Sequence, residues 1–162
     1  DSSQIRIVIC DVEDKPGNAA KLFNLMASKN LSVDMIIQSY ARNSKNTNDI
    51  AFTIAKSDYE IFKSIEDDIN KIVNASNIFI DEDIAKVSIV GAGMIDRPGI
   101  AAKMFDTLAQ ADINIKMIST SEIKISCLVE KKHSETAAKI LCSAFNLDGA
   151  EVADVKGDLP VL

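Results

Sequence analysis

The stretch DKPGNAAKLFNLMA (residues 14–27) returns 82 positions later as DRPGIAAKMFDTLA (residues 96–109). Asp14 falls on Asp96, Pro16 on Pro98, Gly17 on Gly99, Ala19-Ala20-Lys21 on Ala101-Ala102-Lys103, and Phe23 on Phe105. Between Asp14–Ser39 and Asp96–Ser121, 11 of 26 positions are identical, Met35-Ile36 on Met117-Ile118 among them. Agreement on that scale marks two copies of one structural unit.

Outward from the turn, each copy spells the same order. Ile5, Ile7 and Ile9 alternate with Arg6, Val8 and Cys10, the period-two pattern of a strand. Pro16 suits the first turn of a helix, where its missing N–H would be unpaired anyway, and Leu22, Phe23 and Met26 recur at helical spacing up to a stop at Asn30. Val33–Tyr40 and Ile50–Ala55 read as strands joined by the polar loop ARNSKNTND. Ile61, Phe62, Ile65, Ile69, Ile72 and Val73 mark a second amphipathic helix, and the apolar segment Ile78–Ile80 follows. Copy two opens at Val87, Ile89 and Val90. It continues with a helix over Gly99–Ala111, strands over Ile113–Thr120 and Ile123–Val129, a helix over Ser134–Phe145 and a last strand near Glu151–Val155.

The expected fold class is therefore α+β: two ferredoxin-like βαββαβ domains, residues 1–84 and 85–162, packed through their antiparallel sheets. Edges and helix-free faces of such sheets need covering, by the other copy or by a second chain. The final strand either completes its own copy or is exchanged into the other.

Composition narrows the function classes. In 162 residues, 47% are hydrophobic, none is Trp, and the formal net charge is −6. That is a globular chain with an aliphatic core, and it lacks the basic stripe of a nucleic-acid binder. Cys10, Cys127 and Cys142 are odd in number and without C-x-x-C spacing, so neither a zinc site nor a disulfide framework is expected; reduced, buried thiols in a cytoplasmic protein are. No apolar run is long enough to span a bilayer, and no partner membrane is expected. The missing initial Met is read as a sign of excision from something longer.

Two readings of the D-x-P-G turn stand side by side. In the first it only starts a helix: Asp14 accepts from the Gly17 N–H, Pro16 presets the turn, and Gly17 permits tight packing. In the second, Gly17, Asn18 and Ala19 present free N–H groups to a ligand carboxylate while the nearby Asp attracts its ammonium, which describes a free amino acid. Gln38-Ser39, and Ser119-Thr120-Ser121 in copy two, either satisfy a turn or line the same pockets. The stretch SIVGAGMIDRPG (residues 88–99) fails as a dinucleotide fingerprint, because Asp96 stands at the sixth position and no parallel βαβ pattern surrounds it. His133 reads as a solvated surface residue beside Lys131 and Lys132. Glu66-Asp67-Asp68 and Asp81-Glu82-Asp83 lack calcium-loop spacing, and no catalytic constellation, metal set or cofactor motif is found.

The segments KVSIVGAGM (86–94), DRPGIAAKMF (96–105) and NIKMISTSEIKISCLV (114–129), together with RIVICDVEDKPGNAAKLF (6–23) and NDIAFTI (48–54), strongly resemble the regulatory region of aspartate kinase, a tandem of ACT domains. The resemblance covers almost the whole chain. It implies no catalysis by this chain itself, which matches no part of the kinase domain. It also implies a homodimer, a catalytic domain or subunit as partner, and L-lysine and/or L-threonine as feedback effectors held at ACT–ACT interfaces. It carries over a threonine-type site of Asp14, Gly17, Asn18, Ala19 and Gln38 facing Asn114 and Ile115, with Ala101 close by. It carries over a lysine-type site of Asp96, Gly99, Ile100, Ala101 and Ser121 facing Ser32, Val33 and Asp34, whose carboxylate suits a cationic side chain. Asn18 and Ile100 differ between copies, so the two sites are expected to differ there. The other reading is an assembly module whose sheets dimerise and whose pockets stay empty.

Overall fold

In a computed structural model that describes residues 1–40, 46–91 and 98–146, apart from the Tyr40 side chain, the chain divides into two units. One runs from Ser3 to Glu82; the other joins Asp1–Ser2 to the chain from Asp83 onward.

The Ser3–Glu82 unit runs β1 (Gln4–Glu13), α1 (Asn18–Ser28), β2 (Val33–Tyr40), β3 (Thr47–Ala55), a 3-10 turn at Lys56–Asp58, α2 (Tyr59–Val73) and β4 (Asn77–Asp81). The strands pair antiparallel in the order β2-β3-β1-β4, the ferredoxin-like order. Alternation does the sorting: Ile5, Ile7 and Ile9 are fully buried while Arg6, Val8 and Cys10 are half-buried. Ile50, Phe52 and Ile54 face the same core, joined by Leu22 and Met26 of α1 and by Phe62, Ile65, Ile69 and Val73 of α2. Phe52 is its centre, with edge-to-face contacts to Phe23 (5.6 Å) and Phe62 (6.2 Å). Two members of the expected α2 stripe fall outside it: Ile61 and Ile72 are 42% and 36% exposed. The seam of 62, 65, 69 and 73 already fills the width that one helix presents to a sheet.

β1 is longer than its alternation suggests because a bulge between Ile9 and Val12 absorbs a residue. Asp11 takes the left-handed conformation there, at φ 57. Its carboxylate accepts from Thr47 Oγ1 (3.1 Å) and Ser76 Oγ (2.6 Å), and its N–H donates to Asp49 Oδ1 (2.9 Å). Those bonds offset the backbone cost of a non-glycine residue at that angle.

The second unit runs β5 (Ile84–Val90), α3 (Ile100–Gln110), β6 (Met117–Thr120), β7 (Lys124–Glu130), a 3-10 turn at Lys131–His133 and α4 (Ser134–Ala144). Its described strands pair antiparallel as β5-β7-β6, and the expected strand near Glu151–Val155 lies outside the described residues. Asp1 exchanges both backbone hydrogen bonds with Lys86 of β5, at 2.9 and 2.7 Å. The core gathers Val87 and Ile89, Met104 and Leu108, Ile113, Ile125, Cys127 and Val129, and Ala137 and Leu141. β6 begins at Met117 rather than at the expected Ile113. Ile113 is instead tied back to α3, its N–H donating to the Leu108 carbonyl (3.0 Å), and Asp112 before it is left-handed. α1 ends the same way, with left-handed Asn30 and Leu31 N–H on the Met26 carbonyl (3.0 Å). His133, expected on the open surface, is half-buried at the start of α4.

Candidate functional site

The D-x-P-G segment is a turn in front of the helix rather than its first turn. Helix α1 starts at Asn18, so Pro16 and Gly17 both precede it. They occupy the middle of a four-residue turn closed by Asn18 N–H on the Lys15 carbonyl (3.5 Å), with Gly17 at φ 97, ψ −16. A positive φ at the third position after a proline at the second is the type II signature. Gly99 repeats it at φ 97, ψ −10. Glycine is required for that angle and not for close packing, since a Cβ at either position would meet nothing within 4 Å. The expected bond from the Gly17 N–H to the Asp14 carboxylate does not form. Asp14 is held through its backbone instead: its N–H donates to the Asn46 carbonyl (2.9 Å), and Asn46 Nδ2 reaches the Asp14 carbonyl (3.4 Å).

The turn closes one side of a pocket of about 320 Å³ lined by Val12 to Ala19, Gln38, Asn48 and Ile50. All five residues expected here from the first copy (Asp14, Gly17, Asn18, Ala19 and Gln38) come together in it. Sheet register supplies the floor, since Val12 stands opposite Asn48 and Gln38 opposite Ile50 across β1, β3 and β2. Among the described residues, the Ala19 and Ala20 N–H groups have no acceptor; the first helical bond is Lys21 N–H to the Gly17 carbonyl (2.9 Å). Asn18, 4% exposed, donates its Nδ2 to the Glu13 carbonyl (2.8 Å), which leaves Oδ1 buried without a partner. Glu13 forms an ion pair with Lys15 on the rim. The pocket thus offers donors at a helix N-terminus, carboxylates and a carboxamide acceptor for a cation, and aliphatic walls from Val12 and Ile50.

The remaining expected residues lie elsewhere. Ser32 and Asp34 are exposed at the start of β2, where Asp34 Oδ2 accepts from Gln4 Nε2 (2.9 Å), and Val33 packs on the first core. In the second unit Asn114 and Ser121 are exposed, while Ile100, Ala101 and Ile115 lean on the second core. Asp96 lies outside the described residues. Sequence reading missed Val12, Asn48 and Ile50. The signal was present, for Asn48, Ile50, Phe52 and Ile54 alternate along one face of β3, but a strand started at Ile50 leaves Asn48 in the loop.

The thiols are free, and only Cys127 is fully buried. Cys10 and Cys142 are half-buried, against expectation, because their positions on β1 and α4 lie off the core stripes. Burial pushes the Cys127 thiol up to about 11. Cys10 is also raised, by burial first and then by the Asp49 and Asp11 carboxylates. Among the described residues no group of three or more potential metal ligands occurs, and no helix is long and apolar enough to cross a membrane.

Comparison with known proteins gives this arrangement a family. Residues 87–145 match the ACT domain model. A chain from the crystal structure of aspartokinase alpha and beta subunits is 44% identical; the match covers 90% of this chain and 95% of that one, at a TM-score of 0.81. The chain belongs to the aspartate kinase family, as its regulatory region. The ligand-free regulatory subunit of aspartate kinase from Thermus thermophilus has the same fold, at 34% identity, 90% and 95% coverage and a TM-score of 0.81. The aspartate kinase of Pseudomonas putida is 42% identical over 145 residues, 90% of this chain but 35% of that protein. This regulatory region therefore spans about a third of the length of the curated relatives it matches.

Proposed function

We propose that this regulatory region is an amino-acid sensor that feeds the level of L-lysine and/or L-threonine back onto an aspartate kinase catalytic domain or subunit. The observation that carries the proposal is the pocket behind the first D-x-P-G turn, whose lining includes the open helix start and Asn18 with its buried, unpartnered Oδ1. An α-carboxylate suits the first and an α-ammonium the second. The threonine-type contacts proposed are Asp14, Gly17, Asn18, Ala19, Gln38, Asn114, Ile115 and Ala101. The lysine-type contacts proposed are Asp96, Gly99, Ile100, Ala101, Ser121, Ser32, Val33 and Asp34. Binding controls the kinase only through a difference in affinity between two arrangements of the protein, since equal affinity shifts nothing. Assembly as a homodimer is part of the proposal, and it is supported by Ile36 and Phe79, 50% and 57% exposed on the two outer strands of the first sheet.

Titration calorimetry of the full chain with threonine and lysine tests it. Saturable heat from at least one of them at millimolar concentration or below is expected. A folded chain that takes up neither overturns the sensor reading and favours an assembly module.

A further inference from the structure

We infer that Asp11 is a positioning residue for the first-unit pocket, fixing the strand register that turns Val12 into it and brings the Glu13 carbonyl to Asn18; this rests on the sensor reading above. Asp11 is not among the residues that line the pocket. Ile9 stands opposite Ile50 and the next pair is Val12 opposite Asn48, so Cys10 and Asp11 together face the single residue Asp49. Strict alternation from the core-facing Ile9 would carry Asp11 and Glu13 to the core side and Val12 away from it. The inserted residue reverses that order: Val12 is 1% exposed, joins the first core and lines the pocket. Only two pairs follow the bulge, Val12 with Asn48 and Glu13 with Thr47. So short a run does little to hold its own register, and a slip of one residue exchanges the faces of both side chains.

Asp11 supplies the missing restraint. Its N–H donates to Asp49 Oδ1 (2.9 Å) and its carboxylate accepts from Thr47 Oγ1 (3.1 Å), which pins the β3 residues on both sides of Asn48. A further bond, from Ser76 Oγ (2.6 Å), ties the bulge to the segment between α2 and β4. With the register held, the Glu13 carbonyl accepts from Asn18 Nδ2 (2.8 Å), and that bond leaves Oδ1 as the open end of the amide. Asp11 thus acts on a ligand through Val12, Glu13 and Asn18 without touching it. Holding these groups in place before binding removes an ordering cost that the ligand would otherwise meet.

Calorimetry of the full chain with L-threonine and L-lysine, on wild type, Asp11→Gly and Asp11→Asn well below their melting temperatures, tests the role. Glycine keeps a positive φ without strain, so Asp11→Gly removes the side-chain bonds at little backbone cost. It is expected to weaken binding of whichever amino acid wild type takes up by about fivefold or more, the worth of roughly one hydrogen bond. Asparagine tolerates the same angle and its amide both accepts from and donates to hydroxyls, so Asp11→Asn is expected to stay within about twofold of wild type. Hydrogen exchange of the Asp14 amide, held by the Asn46 carbonyl beyond the last strand pair, is expected to quicken in Asp11→Gly and not in Asp11→Asn. Faster exchange or a lower melting temperature in Asp11→Gly with unchanged affinity marks a purely structural residue and overturns the assignment. Equal loss of affinity in both variants overturns it too, because the charge and not the bonding is then responsible. A folded wild type that takes up neither amino acid removes the sensor reading and this role with it.

Discussion

A left-handed glycine with empty space around it makes an unusually clean substitution. At Gly17 a methyl group meets nothing, so the whole effect of Gly17→Ala is the backbone cost of holding a Cβ at φ 97. That cost is about 1–2 kcal/mol. Urea unfolding of the chain should show a loss of that size, and Gly17→Asn should lose less, since asparagine tolerates the left-handed region better. Neither D-x-P-G proline nor aspartate shares this burden: Pro16 presets the turn from outside the helix, and the Asp14 side chain does not cap it. The motif was legible as a helix start from its residue types alone. Which of its four residues is indispensable was not, because a one-residue shift of the helix boundary moves the proline from the helix into the turn.

At the scale of elements, the bulge in β1 matters most to the site, because it sets where Val12 and the Glu13 carbonyl lie. Asp11 accomplishes in the first copy what glycine does cheaply, and the residue aligned with it in the second copy is Gly93. Asp11→Val should cost roughly 2–4 kcal/mol, combining a β-branched side chain at positive φ with the loss of two accepted hydrogen bonds. Asp11→Gly removes the bonds but relieves the backbone, and should cost about half as much. Chemical denaturation of the two variants checks the order. Alternation and helical spacing announced each strand and helix of both copies within the described residues. They could not show the bulge, since period-two counting breaks where a residue is inserted, nor the 3-10 turns before α2 and α4, which bury nothing that a pattern could register.

The molecule as a whole is a pair of units with separate cores, one built round Phe52 and the other containing the buried thiol of Cys127. That thiol gives stability a pH dependence whose sign follows from its environment. In the unfolded chain it titrates near its ordinary value of 9.0, whereas in the folded chain burial holds its proton to about 11. Below the lower value both states are protonated and stability is unaffected; between the two the unfolded state sheds its proton first, so stability falls as pH rises. The difference in unfolding free energy between wild type and Cys127→Ala should therefore shrink from pH 8 to pH 11, as read by urea melts at stepped pH. Duplication, visible as an identity pattern, made this two-unit plan the most legible property of the chain. The pocket was half legible: the turn and Gln38 were named from sequence, but its floor depends on cross-strand register, which joins residues far apart in sequence.

Gly17 and Gly99 share one backbone conformation to within a few degrees of ψ, yet Asn18 follows one and Ile100 the other. Each is consequently a natural control for its twin. A solute drawn merely to the positive end of a helix perturbs the amides of Gly17 and Gly99 alike, whereas a ligand that reads side chains tells them apart. The chain thus carries an internal standard against which the selectivity of any bound amino acid can be measured in a single sample.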